Sequence, residues 1–163
     1  MQEKEIPKLT VVSIDVWHNK AYLPTQAQYE SGLFVDIDPV YVVSLNPDEL
    51  KGAIQSVKNA GHKCLPDPKT KEEFRKRKDP VLAVSGSRSW KQLAKTGASY
   101  TIGWTDKEVR IDMSRLDNLG RWEYDPKKVR ILPNDVPIDE IVEIILEDIE
   151  TRPELLRFDY DEN

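Results

Sequence analysis

The chain is organised around residues 120–150, GRWEYDPKKVRILPNDVPIDEIVEIILEDIE. Trp122 and Tyr124 mark a short strand, which ends at an Asp-Pro pair because proline cannot donate to a strand ladder. A second strand is expected over residues 129–132, which are mostly aliphatic. Pro137 then fits an early position of a helix, where its missing N–H costs nothing. The stretch therefore predicts two strands followed by a helix with one apolar face.

A looser copy of this pattern lies at residues 32–60, GLFVDIDPVYVVSLNPDELKGAIQSVKNA. Gly32-x-Phe34 corresponds to Gly120-x-Trp122, and each copy passes through an Asp-Pro pair and a second proline into a helix. One residue must be gapped out before the Asp-Pro pair to align them. The two copies suggest a duplication of one strand-and-helix unit.

The copies predict a single α+β domain over residues 1–163, which is a normal length for one domain. Its two pseudo-repeated halves are expected at 8–63 and 81–150, each a small antiparallel sheet covered by helices. Residues 64–80 are expected to be a basic, proline-containing linker, and residues 151–163 an acidic tail.

The rest of the chain predicts further elements of the same kind. Residues 9–17 alternate in polarity as a strand with one buried face does. Residues 21–31 contain a proline and several glutamines, which favours a short edge strand or a loop. Residues 87–97 predict a helix capped by serine and ended by glycine, and residues 98–105 and 108–113 predict a hairpin.

Composition indicates a globular protein that works in a reducing compartment. The chain is 39% hydrophobic and 33% charged, with aromatic residues throughout. Cys64 is its single cysteine, so no internal disulfide can form. The first residues carry acids and no long apolar run, unlike a secretory signal, and no stretch is apolar enough to span a bilayer. We therefore expect a cytoplasmic protein.

The net charge of −5 is concentrated at the end of the chain. From Asp135 onward, only Arg152 and Arg157 oppose eleven acidic residues. The last helix carries the acids Asp139, Glu140, Glu143, Glu147, Asp148 and Glu150 and no base. Such a field repels nucleic acid and membranes and attracts basic partners. These six acids are the predicted partner-binding residues; a merely solvated helix face is the alternative.

No motif predicts catalysis, a metal or a cofactor. A zinc site needs four ligands, and His62 with Cys64 supplies two, without a second cysteine pair. A catalytic thiol needs a base and an oxyanion environment, which no pattern around His18, His62 or Cys64 indicates. We therefore predict a protein that is not an enzyme. A small hydrolase using these three residues, or a self-associating scaffold, stays as an alternative.

The order of segments resembles that of bacterial immunity proteins of contact-dependent growth inhibition. An apolar strand runs into NPDELKGAI, SRSWKQLAKTGASYTIGW follows, and RWEYDPKKVRILPNDVPIDEIVEIIL ends the pattern, over residues 41–149. The resemblance implies a cognate toxin domain as partner, commonly a nuclease, and no activity of the chain's own. The matching positions are structural, so no binding residue is carried over. The oligomeric state stays open.

Overall fold

The computed structural model describes residues 9–156 of the 163-residue chain. Within that range eight strands form one sheet, with helices on both of its faces. The strands are β1 Thr10–Trp17, β2 Lys20–Tyr29, β3 Phe34–Ser44, β4 His62–Leu65, β5 Ala98–Trp104, β6 Glu108–Leu116, β7 Trp122–Tyr124 and β8 Arg130–Pro133. The helices are α1 Pro47–Ala60, α2 Lys71–Arg75, α3 Pro80–Ser85, α4 Trp90–Thr96 and α5 Ile138–Glu150, followed by a 3-10 turn over Pro153–Leu156.

The sheet runs in the order β3-β2-β1-β5-β6-β7, with β8 on β6 and β4 parallel to β2. The α+β class and the single domain are confirmed. The expectation of one small sheet per half is wrong, because β1 pairs with β5 from Thr10 opposite Trp104 to Val16 opposite Ala98. The pseudo-repeat is not confirmed: its first copy contains one long strand, β3, where its second contains the short strands β7 and β8.

Strand β2 corrects the prediction of an edge strand or loop for residues 21–31. It is an interior strand, bonded to β3 on one side and to β1 and then β4 on the other. Pro24 lies where the β2–β3 register shifts, so the ladder is already irregular there. Gln26 is 3% exposed, and its side-chain amide donates to the Asp36 carboxylate at 2.8 Å. Gln26, one of the polar residues that suggested a loop, is thus satisfied inside the sheet.

The two faces of the sheet bury separate apolar clusters. On one face Val12, Ile14 and Val16 of β1 join the main core, which α1 and α5 cover. On the other face Trp17 packs with residues of α3 and α4. This second cluster consists of Trp17, Tyr22, Val81 and Leu93. Alternation along β1 therefore gives each face its own layer of helices, as the period of a strand requires.

Side-chain caps begin α1 and α4, and the serine cap predicted for residues 87–97 is Ser89. Asn46 accepts the amides of Asp48 and Glu49 at the start of α1, and Ser89 accepts the amide of Gln92 at the start of α4. The helix α5 begins after Pro137 without a side-chain cap. Its attachment therefore depends on the apolar face that it buries.

Gly97 connects α4 to β5 where no side chain fits. A Cβ at this position would lie 2.5 Å from the carbonyl oxygen of Leu93 and 2.7 Å from that of Val16. Both neighbours are backbone atoms of packed elements, so they cannot turn aside. Glycine is required here by close approach of the backbone.

The start of the predicted acidic tail packs on the core. Leu155 is fully buried, and its carbonyl oxygen accepts the amide of Asn19 at 2.8 Å. Residues 157–163, the rest of that tail, lie outside the described range. Between residues 9 and 156, no helix has the length and apolarity that crossing a membrane demands.

Candidate functional site

The helix α5 carries all six acids predicted to bind a partner. It lies beside α1 on the same sheet face and buries Ile141, Val142, Ile145 and Ile149. The 3.6-residue period of the helix turns the positions between them toward solvent. The sequence of α5 thus folds into a helix whose outer side is acidic.

Five of these acids form one exposed stripe, which we call the acidic stripe: Asp139, Glu140, Glu143, Glu147 and Glu150. In helical projection they fall within a sector of about 100°, over roughly 16 Å of helix axis. Asp139 is neutralised at one end by the ammonium group of Lys51 at 3.0 Å. Within residues 9–156, no ion pair includes any of the four glutamates. The stripe therefore presents uncompensated negative charge to solvent.

Asp148, the sixth predicted residue, lies elsewhere. Its side chain is only 9% exposed, and its carboxylate lies 2.7 Å from the ammonium group of Lys128 and 3.1 Å from the Nε of Arg152. It also accepts the hydroxyl of the fully buried Tyr100 at 2.6 Å. Burial and the bond to Asp148 raise the pKa of Tyr100. Asp148 thus ties α5 to β5 and to the turn before β8, and its charge is compensated.

Helical projection already contains the signal that separates Asp148 from the stripe. Successive residues of a helix are about 100° apart, so Asp148 is rotated from Glu147 away from the other acids. Charge counting alone grouped it with them. The predicted set therefore divides into a surface stripe of five and one structural acid.

The three residues of the alternative enzyme do not form one cluster. His18 lies in the β1–β2 turn, stacked on Trp17 with ring centroids 3.7 Å apart. His62 pairs with Gln26 at the far end of β2, about 20 Å from that turn at the rise of a strand. Cys64 is exposed two residues further along β4. Within residues 9–156, no set of three or more His, Cys, Asp or Glu is arranged to hold a metal ion.

His62 has a structural role instead. Its Nε2 accepts the backbone amide of Val11 at 3.1 Å, and its ring packs edge-on against Phe34. Burial lowers the pKa of His62. The ring joins the start of β1 to β4 and β3 in its neutral form, since only an unprotonated nitrogen accepts a hydrogen bond.

A groove of about 540 Å³ lies on the sheet edge at β3, on the side away from α5. Its lining includes Phe34, Asp36, Phe74, Arg75, Lys78 and Trp90. Arg77 closes one wall by donating to the Tyr29 hydroxyl and to the backbone carbonyl of Asp36. The groove combines aromatic walls with basic residues from the segment predicted to be a linker.

The fold is shared with a chain of a solved toxin and immunity complex. The order of sequence segments had indicated a resemblance to the immunity proteins of such systems. No protein-family model matches the sequence, and no curated protein matches it significantly. Among solved structures, a chain of the CdiA-CT/CdiI toxin and immunity complex from Yersinia pseudotuberculosis has a TM-score of 0.64 at 15% identity, over 89% of this chain and 97% of that one. A protein of unknown function from Neisseria meningitidis has a TM-score of 0.61 at 14% identity, over 89% and 96%. The resemblance is thus confirmed at the level of the fold.

Proposed function

We propose that this protein is an immunity protein, which binds and neutralises the toxin domain of a contact-dependent inhibition effector. The observation that carries the proposal is the fold shared with a chain of the CdiA-CT/CdiI complex along 89% of the sequence. An immunity protein acts by occupying a surface of its toxin and needs no chemistry of its own. The separation of His18 from His62 and Cys64 is consistent with that role.

The acidic stripe is the surface that we assign to the toxin. Four uncompensated glutamates along one side of α5 suit a partner that is basic there, as a nuclease is where it grips phosphate. Complementary charge raises association rates by about 10 to 10³-fold and weakens with salt. The exposed thiol of Cys64 fits the reducing cytoplasm, where we place the protein.

Binding and protection test the immunity role directly. The probe is the C-terminal domain of the effector encoded beside this chain's gene, purified alone. We expect it to form a complex with the full chain, measured by calorimetry, and we expect co-expression of the chain to restore growth of cells that produce it. A toxin domain that neither binds nor is neutralised would refute the role. Sedimentation of the chain with and without the toxin separates this outcome from self-association.

A matched pair of variants tests the stripe separately. Glu143→Gln with Glu147→Gln removes two charges from the stripe, and Glu30→Gln with Glu72→Gln removes two exposed charges elsewhere. At low salt the first pair is expected to slow association several-fold more than the second, because steering depends on local field. Equal association rates for both pairs would show that the interface lies away from α5, and they would not contradict the immunity role.

A further inference from the structure

Asp15 is a carboxylic acid buried in the middle of the sheet. It lies in β1 between Tyr22 of β2 and Ser99 of β5, and it is 2% exposed. Ser99 gives it a hydrogen bond. No ion pair within residues 9–156 reaches it. A buried ionised carboxylate without a cation is costly, so this position favours the protonated acid.

The groups around Asp15 strengthen that preference. Asp36 of β3 and Asp79, which precedes α3, are carboxyls close enough to repel it. Tyr22 adds no charge, since burial raises the pKa of its hydroxyl. Burial first, and then these two carboxyls, raise the pKa of Asp15 to about 8, with the Ser99 bond opposing. The other helix on this face, α4, carries its lysines exposed: Lys91 and Lys95.

The segment at residues 69–85, comprising α2 and α3, lies over this side of the sheet; we call it the cover. Its helix α3 packs on β2 and β3, and α2 buries none of its residues. Arg77 holds the cover to β3 through the backbone carbonyl of Asp36. Gly86 ends it with a φ of 79°, a conformation that glycine adopts freely. By contrast α4 is fixed by Gly97 and by the bond from the Trp17 indole to Thr96 at 3.0 Å.

We propose that the cover opens in response to loss of the proton on Asp15, which couples the shape of the groove to pH. Opening lets water reach the carboxylate and moves Asp79 away from it. The cover is the layer that yields, because α2 has no buried residue and the six-residue α3 is anchored only by Pro80 and Val81. Its movement changes the groove walls formed by Phe74 and Lys78.

The pKa values of Asp15 in the closed and open forms determine how opening of the cover depends on pH. When the cover is open and Asp15 is hydrated, its pKa returns toward the ordinary value of about 3.9. Opening therefore becomes easier by up to about tenfold per pH unit as the pH rises toward 8. Above pH 8 the closed form is ionised as well, so the opening constant levels off.

Amide hydrogen exchange of the full chain, followed by mass spectrometry from pH 5.5 to 9, tests this coupling. After correction for intrinsic rates, peptides from the cover are expected to exchange faster as the pH rises to 8, then to level off. Peptides from α1, on the opposite face, are expected to show no such rise. Asp15→Asn is expected to abolish the rise, since the amide does not titrate.

A second variant keeps the test decisive if Asp15→Asn does not fold. Asp79→Asn retains the cap of α3, because asparagine caps a helix as well as aspartate does. This variant lacks one charge that repels the Asp15 carboxylate, so the pKa of Asp15 in the closed form falls. The opening constant of the cover is therefore expected to level off at a lower pH. The proposal is overturned if exchange of the cover still rises with pH in Asp15→Asn, or if the pH at which it levels off is unchanged in Asp79→Asn. An equal rise in the peptides from α1 would also overturn it.

Discussion

Replacing Asp148 by alanine tests whether this acid supports the fold while its neighbours form the surface. The change removes the carboxylate that Tyr100, Lys128 and Arg152 all contact. Deleting one member of a buried ion pair costs about 3–5 kcal/mol because the other charge stays buried. Here Lys128 is 36% and Arg152 14% exposed, so water partly replaces the lost contacts. The buried Tyr100 hydroxyl, left without its acceptor, adds about 1–3 kcal/mol.

We therefore expect Asp148→Ala to lower the free energy of unfolding by about 3 kcal/mol. For a domain of this size that corresponds to a fall in melting temperature of roughly 6–12 °C. In Asp148→Asn the side-chain oxygen still accepts the Tyr100 hydroxyl and only the charge is removed. The decrease in the free energy of unfolding is therefore expected to be smaller. Glu147→Ala is the matched control: the neighbouring exposed acid is expected to change stability by no more than about 0.5 kcal/mol.

Urea unfolding, followed by tryptophan fluorescence at pH 7, measures these differences. With the toxin domain as ligand, Glu147→Ala is expected to slow association while Asp148→Ala leaves the association rate of the folded fraction unchanged. A loss below about 1 kcal/mol for Asp148→Ala, or an equal loss for Glu147→Ala, would show that the hydrogen bonds to Asp148 do not support the fold as argued.

Two further predictions concern the scaffold. Gly97→Ala is expected to destabilise the protein by at least about 2 kcal/mol in urea unfolding, because the added Cβ meets two backbone carbonyls. Gly52→Ala, at an exposed position in the middle of α1, is expected to stabilise the protein by up to about 1 kcal/mol. If Gly97→Ala were the more stable of the two variants, the packing described around Gly97 would be contradicted. The depressed pKa of His62 predicts stability that is complete above pH 6.5 and declines below it, since the unfolded chain takes up the proton first. His62→Gln is expected to weaken that decline in unfolding experiments at pH 5 and 7, and an unchanged decline would exclude His62 as its source.

The elements with local signals could be predicted from the sequence. Asn46 and Ser89 cap helices because their side chains reach amides two or three residues ahead. The apolar face of α5 follows from a period that is visible in one stretch. The acidic stripe followed in the same way, because exposed charge on an amphipathic helix needs no knowledge of distant residues.

Features that depend on distant partners could not be predicted. Gln26 looks like a loop residue until Asp36 is placed beside it, and the short β4 becomes a strand only by pairing with β2. Joining the two halves into one sheet depends on the β1–β5 ladder, which no local pattern encodes. Asp15 likewise looks like an outward-facing strand residue, and only the helices on that face bury it.

The central β1–β5 ladder joins two strands that are synthesised at very different times. Val12 pairs with Ile102, so β1 leaves the ribosome about 90 residues before its main partner. At roughly 5–20 residues per second, that interval lasts on the order of 5–20 s. During it β1 has β2 as a neighbour on one side and an open, aliphatic edge on the other. A chain cut between its halves would keep that edge exposed, so neither half is expected to fold on its own.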